Sequence, residues 1–312
     1  MTATSKPSAP VNTQLPRTAT VGLLVGAALL WSLGGLLIKL AQWHPLGIAS
    51  VRSGIAALTI ALILRIQHRR WPHLVPKSTA TWGAALGYAG TVILFVQSTK
   101  LTAAANAIVL QYTAPLYVAI GGSMFLGERL RASEWVLLGL MLSGTALFFA
   151  EHLSSSGMIG NLAGIGSGIA MASMTLCLRR ARDQSALEAL VTGNIIAAIS
   201  GVWLWTELPD LDGRTVGVLA VLGVVQLGIP YVLFAHALRR ARAIEAIMLT
   251  MLEPILNPLW VMLAIGERPT GYALLGSALV VGSTIARTVL SYTRSSVDVS
   301  SGSSVSSGGT SS

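Results

Sequence analysis

The stretch MLEPILNPLWVMLAIGERP, residues 251–269, decides the fold. It is apolar enough to lie in a bilayer, yet it carries a carboxylate at Glu253 and prolines at Pro254 and Pro258. A related string, TAPLYVAIGGSMFLGERL, occupies residues 113–130. When Ala104–Arg129 is set against Ala243–Arg268 without a gap, eight of 26 positions are identical, among them Pro115 with Pro254 and both Gly-Glu-Arg triplets. Chance gives roughly two, so the chain carries an internal duplication. Fainter matches extend it: LLIK ending at Lys39 faces LCLR ending at Arg179, and Phe95 faces Phe234. The unit is about 140 residues long and holds five apolar runs.

Composition places these runs in lipid. Of 312 residues, 53% are hydrophobic and 11% charged, and mean hydropathy is +0.69. A soluble domain carries about 25% charge. The apolar runs do not alternate with polar residues, so they are helices and not barrel strands. A crossing needs about 20 apolar residues. That measure gives ten segments: 19–39, 46–66, 79–99, 104–126, 133–150, 158–178, 186–205, 215–237, 243–265 and 270–291. The expectation is an all-α integral membrane protein of ten transmembrane helices. Its two five-helix repeats span 19–150 and 158–291. Residues 1–18 form an N-terminal segment, and the run after it lacks a small-residue cleavage site, so it reads as a span and not a signal peptide. Residues 295–312 are Ser/Gly-rich and read as a disordered tail.

The basic residues orient the spans. Sixteen lysines and arginines fall on the side of the N-terminus, against Lys39, Lys100, Arg214 and Arg268 on the other. The positive-inside rule then puts both termini in the cytoplasm of a bacterial inner membrane. The same rule accounts for the pI near 10.3 without a nucleic-acid partner. Trp43, Trp203 and Trp205 fall at outer helix ends and Trp71, Trp82 and Trp135 at inner ends, as an aromatic belt requires. Because five is odd, the second repeat must cross upside down relative to the first. Inverted repeats are a recurring transporter architecture, with the substrate site near the midplane where the halves meet.

Several classes are excluded. The single cysteine, Cys177, can form neither an intramolecular disulfide nor a thiolate metal cluster. There is no G-x-x-x-x-G-K-[ST] string for ATP and no H-E-x-x-H metal site. No enzyme, metal or cofactor is expected. The partners are a small-molecule substrate and the lipid bilayer, and the sequence does not separate a monomer from a homodimer.

Glu253 is the residue that most needs explaining. It lies about 15 Å along its helix at 1.5 Å per residue. An ionised carboxylate at that depth costs about 2.5–3.5 kcal/mol on insertion scales. Glu253 therefore either faces a wet cavity or is protonated. It can serve as a proton-coupling group, as a partner for a substrate ammonium, or as a neutral acid bonded to a carbonyl at the proline kink. The first repeat has Ala114 at the matching position. Pro115, Pro230, Pro254 and Pro258 each remove a backbone donor and free a carbonyl, which marks kinks. Glycine stripes at Gly22 and Gly26, and at Gly160, Gly164 and Gly168, read as close helix packing. Arg52 is expected to snorkel outward, and Glu128 and Glu267 to be solvated helix-end residues.

Taken together, Trp31-Ser32 in the first helix, Arg52 in the second after Pro45, a proline in each fourth helix, Gly-Glu ending each of those helices, and the glycine-bearing runs WVLLGLMLSG and YALLGSALVVG resemble a known family. The chain is similar to the drug/metabolite transporter superfamily, EamA-type, over about residues 20–290. More narrowly it resembles the aromatic amino acid exporters of that superfamily. The resemblance implies that helices 1, 3, 4, 6, 8 and 9 line a cavity. Trp31, Tyr88, Thr91, Phe95, Gln111, Tyr112, Met171, Gln226, Tyr231, Thr250 and Asn257 then become candidates to touch substrate. The function expected is export of small amino acids or related metabolites by alternating access, with aromatic and apolar amino acids favoured. Sugar phosphates are disfavoured, because no lysine or arginine is expected near the midplane. Export of drugs or purines is the alternative within transport, and a membrane scaffold or receptor is the alternative outside it.

Overall fold

The computed structural model describes residues 17–126, 132–151, 155–180, 186–207, 212–238, 249–250 and 252–305. Among these residues every regular element is helical. The first unit contains α1 (Arg17–Ser32), α2 (Gly34–Leu40), α3 (Pro45–His68), α4 (Thr79–Leu101), α5 (Ala104–Gln111), α6 (Ala114–Leu126) and α7 (Ala132–Glu151). The second contains α8 (Ser155–Arg180), α9 (Ala186–Ile199), a 3₁₀ turn (Val202–Glu207), α10 (Gly213–Val221), a π-helical stretch (Leu222–Gly228), α11 (Ile229–Leu238), α12 (Leu252–Ile265) and α13 (Gly271–Val305).

Six helical stretches are long and apolar enough to cross a membrane: Thr18–Leu40, Pro45–Gln67, Thr79–Leu101, Ala104–Met124, Gly157–Leu178 and Gly213–Phe234. Shorter apolar helices lie at Trp135–Leu147, Ala186–Ile199, Leu252–Ile265 and Gly271–Ala286. The outside of the bundle is apolar, with Leu58, Leu62, Leu140, Leu162 and Leu274 all exposed. Trp71, Trp82, Trp135, Trp203 and Trp205 are exposed as well. Such a surface suits lipid tails and an interfacial aromatic belt, and the protein is a multi-pass membrane protein. The Gly-Glu-Arg triplet at 127–129 and the start of the 243–265 run lie outside the described residues. The last helix differs from expectation at its end: it continues to Val305, into the segment read as a disordered tail. No proline follows Pro269, so each further residue can extend the hydrogen-bond ladder.

The two units interleave. α8 lies antiparallel along α4, and the glycines let the backbones approach. Gly83 sits against Cys177, Gly87 against Ala170 and Met174, Gly166 against Leu94, Gly164 against Ser98, and Gly160 against Thr102. The stripe on α8 thus packs as expected, but Gly22 on α1 has open space beside it, and Gly26 reaches only the tip of Leu233. α9 lies antiparallel on α3, where Gly201 meets Leu46, Gly54 meets Ala198 and the Ser50 hydroxyl donates to the Ala198 carbonyl. The π-helical stretch runs parallel to α3, with Gly223 on Ile55 and Gly228 on Thr59. The neighbours come in matched sets. α4 packs on α8 as α11 packs on α1, and α5–α6 pack on α8 as α12 packs on α1. The pairs α7 with α13 and α3 with α9 map onto themselves when the units are exchanged.

Candidate functional site

Four helices lose their regular ladder in the interior of the bundle. The first crossing breaks at Leu33, between α1 and α2. The fourth breaks at Tyr112–Thr113, just before Pro115, whose missing N–H leaves the Gln111 carbonyl without its usual partner. The stretch Gly213–Phe234 widens into the π turns at Leu222–Gly228, just before Pro230. There the Ile229 N–H reaches back to the Val224 carbonyl instead of bonding four residues back. Such turns recur at functional sites because they re-aim side chains. The fourth irregular helix is α12, in which Pro254 falls in the first turn and Pro258 in the interior.

Aromatic side chains converge between these breaks. The rings of Trp31 and Tyr231 meet edge-on with centroids 5.0 Å apart. Phe234 lies 5.3 Å from Trp31, and Tyr88 meets Tyr231 at 5.3 Å, again edge-on. Asn194 Nδ2 donates to the Tyr88 hydroxyl at 3.0 Å and so fixes that ring from α9. The indole Nε1 of Trp31 is buried with no hydrogen-bond partner among the described residues. Tyr112, at the break between α5 and α6, donates its hydroxyl to Glu253 Oε2 at 2.8 Å and lies 3.3 Å from the Thr250 carbonyl. One acid from the second unit is thus held by a tyrosine from the first.

Arg52 corrects the sequence reading. It does not snorkel outward but is 1% exposed. Its Nη1 donates to Gln226 Oε1 at 3.2 Å and its Nη2 to the Val92 carbonyl at 3.3 Å. Val92 lies about 20 Å into α4 at 1.5 Å per residue, so the guanidinium sits deep in the bundle. The expectation that no lysine or arginine lies that deep is therefore overturned, and sugar phosphates can no longer be disfavoured on that ground. The side chain can reach inward because Gly223 lets the π turn close onto α3, with the Arg52 carbonyl itself against that glycine. Gln226 continues the link by donating Nε2 to the Trp31 carbonyl at 3.3 Å, a group exposed by the break at Leu33. The available signal was an ionisable residue inside an apolar run, which is a functional expectation by default. Phe234 was also missed, although it matched Phe95 across the repeat.

The remaining expected residues spread around this cluster. Gln111 Nε2 donates to Ser167 Oγ at 2.7 Å, and Ser167 donates to the Thr91 carbonyl at 2.9 Å, a chain that ties α5, α8 and α4 together. The Thr91 hydroxyl bonds its own helix at Gly87. Phe95 packs into the core of α3, α4 and α5. Met171 is half-buried on α8. Asn257 is fully buried against Gly35, and both polar atoms of its side chain lack a hydrogen-bond partner among the described residues. Trp260 Nε1 donates to Ser32 Oγ at 2.9 Å and links α12 to the first break. No group of three or more metal-ligating side chains occurs among the described residues.

One end of the bundle is tied shut by charge. Lys39 Nζ lies 2.9 Å from Glu267 Oε2 and also donates to the Thr102 carbonyl at 2.9 Å. Glu267 Oε1 accepts the Ala104 N–H at 2.7 Å at the start of α5. Lys100 Nζ donates to the Ala41 carbonyl at 2.7 Å. Glu267 is thus an ion-paired cap and not a solvated helix-end residue. Glu128 lies outside the described residues.

Relatives agree with this architecture. A threonine/homoserine exporter, RhtA, of Salmonella typhimurium is 24% identical over 254 residues, covering 78% of this chain and 81% of its own. An uncharacterised transporter of Archaeoglobus fulgidus is 27% identical over 203 residues, covering 61% of this chain and 69% of its own. One crystal structure superposes with a TM-score of 0.62 at 20% identity over 88% of this chain and 99% of that one, a likeness of fold alone. The model of the EamA-like transporter family matches twice, at residues 18–150 and 158–288. Two matches that together span most of the chain mean that it belongs to the EamA-like transporter family, within the drug/metabolite transporter superfamily.

Proposed function

We propose that the protein exports small amino acids or related metabolites across the bacterial inner membrane by alternating access. Ten crossings arranged as two inverted units rock around the aromatic cluster, with both termini cytoplasmic. The antiparallel contact of the repeat-equivalent helices α3 and α9 supports inversion, because a twofold axis lying across the helices reverses each equivalent pair. The four shorter apolar helices supply the remaining crossings.

The observation that carries the functional reading is Glu253 held by Tyr112 beside Trp31, Tyr88, Tyr231 and Phe234. A carboxylate among rings suits an ammonium on an apolar body, and it can also take the proton that drives export. The rings favour aromatic and apolar amino acids, and the named threonine/homoserine exporters among the relatives support amino acids as a class. Counterflow in proteoliposomes over a panel of amino acids, purines and cationic drugs, at two pH values, tests this. Amino acids should exchange, and Glu253→Gln should abolish the pH response of the wild type. Exchange of purines or drugs alone would favour the alternative substrates. No exchange by any compound, with Glu253→Gln altering only stability, would favour a scaffold. Identical pH responses of wild type and variant would remove Glu253 from coupling.

A further inference from the structure

Arg52 has no part in the reading above, and its surroundings are unusual for a buried cation. Among the described residues no carboxylate pairs with it: the recorded ion pairs are Lys39 with Glu267 and Arg70 with Glu188. Its two hydrogen bonds go to a neutral amide and a neutral carbonyl, both longer than 3.1 Å. Its Nε is buried with no hydrogen-bond partner among the described residues. A buried guanidinium is strongly destabilising unless an anion compensates it, and its planar fork of donors matches a carboxylate.

The aromatic cluster is linked to this cation: Gln226 ties Arg52 to the Trp31 carbonyl, and the Trp31 ring packs on Tyr231. Tyr231 lies within electrostatic reach of both Arg52 and Glu253, and Tyr88 is a further neighbour of Arg52. The rings therefore stand near both an acid, Glu253, and a cation, Arg52. We propose that Arg52 receives the carboxylate of the substrate while Glu253 faces its ammonium, so that a zwitterion spans Tyr231; this rests on the amino-acid export proposed above. Gln226 is then the positioning residue, holding the guanidinium through Nη1 and anchored to the Trp31 carbonyl. A dianionic phosphate fits less well, since a second cation would be needed and Glu253 would repel it.

The test compares L-phenylalanine and L-homoserine with their carboxamides, which keep the ammonium and side chain but lack the anion. Each is used as a competitor of amino-acid counterflow in proteoliposomes holding wild type, Arg52→Lys or Arg52→Gln. For wild type the acids should compete about tenfold or more better than the amides. Arg52→Gln should lose that preference by weakening the acids and leaving the amides unchanged, and Arg52→Lys should restore part of it. Amides competing as well as acids in the wild type would overturn the assignment while leaving amino-acid export standing. Equal loss of acids and amides in a monodisperse Arg52→Gln would make Arg52 a structural strut and also overturn it. Stronger competition by a sugar phosphate than by either amino acid would do the same. Absence of any amino-acid exchange in wild type would end both proposals. If Arg52→Gln does not fold, the comparison of acid with amide in wild type decides.

Discussion

Cutting the ion pair between Lys39 and Glu267 should loosen one end of the bundle by a measurable amount. Glu267→Gln keeps the shape and can still accept the Ala104 N–H, so the change isolates the charge. The Lys39 and Glu267 side chains are 19% and 29% exposed and meet at 2.9 Å. Fully exposed pairs contribute about 0.2–1 kcal/mol, and charge-assisted hydrogen bonds in drier sites about 1.5–3 kcal/mol. The largely covered pair here should fall between, at about 1–2 kcal/mol, which is a factor of about 5–30 in an equilibrium. Thermal unfolding in detergent of wild type, Lys39→Gln, Glu267→Gln and the double variant gives the coupling energy directly. A conformational readout can accompany it. Ser32 is fully buried beneath this end, bonded to Trp260. In a Cys177→Ser background, Ser32→Cys should react about 5–30-fold faster with a membrane-impermeant thiol reagent once the pair is cut. Additive single effects, with unchanged labelling, would refute the idea that the pair holds this end closed.

Two other outcomes are expected. Gly87→Ala places a methyl about 2.7 Å from the Met174 nitrogen and 2.9 Å from the Ala170 carbonyl, both backbone, so α4 and α8 must separate. It should cost about 1–3 kcal/mol in a detergent melt, whereas Gly139→Ala, with open space beside it, should be neutral or slightly stabilising. Asp212, outside the apolar span, is held below the ordinary carboxyl value of 3.8 by a hydrogen bond from the Thr215 side chain and by the Thr215 N–H, which it accepts at 2.8 Å. Its capping contribution is therefore present above that pH and is lost as acid protonates it, and Asp212→Ala should remove the acid-dependent part of fraying seen by amide exchange at the start of α10.

Much of the architecture is readable locally. Long apolar runs, the basic loops and a repeated proline-glycine pattern depend only on neighbours in the chain, so helices, membrane placement and duplication follow from them. The ends of the runs are less readable. The 186–205 segment stops as an α-helix at Ile199 and turns at Val202–Glu207, and α13 carries on to Val305. Hydrophobicity reports immersion in lipid and says little about where the ladder ends. In the site, Glu253 was legible because an acid among apolar residues announces itself, and Tyr112 because it precedes a proline break. Arg52 announced itself equally, but a long side chain near a helix end can point to either side. Only Gly223, Val92 and Gln226, from two other helices, decide that it points inward.

By itself, then, the sequence determined that this chain is a duplicated bundle of membrane helices with one acid and several breaks deep inside. The tertiary structure alone decided what those breaks face. It brought the rings of Trp31, Tyr88, Tyr231 and Phe234 together, gave Glu253 to Tyr112, buried Arg52 with no paired carboxylate among the described residues and paired Lys39 with Glu267. The physical reason is that periodicity and hydropathy are sums over adjacent residues. A site in an interleaved bundle is instead made by side chains more than a hundred positions apart, whose meeting depends on which helices the glycines allow to touch.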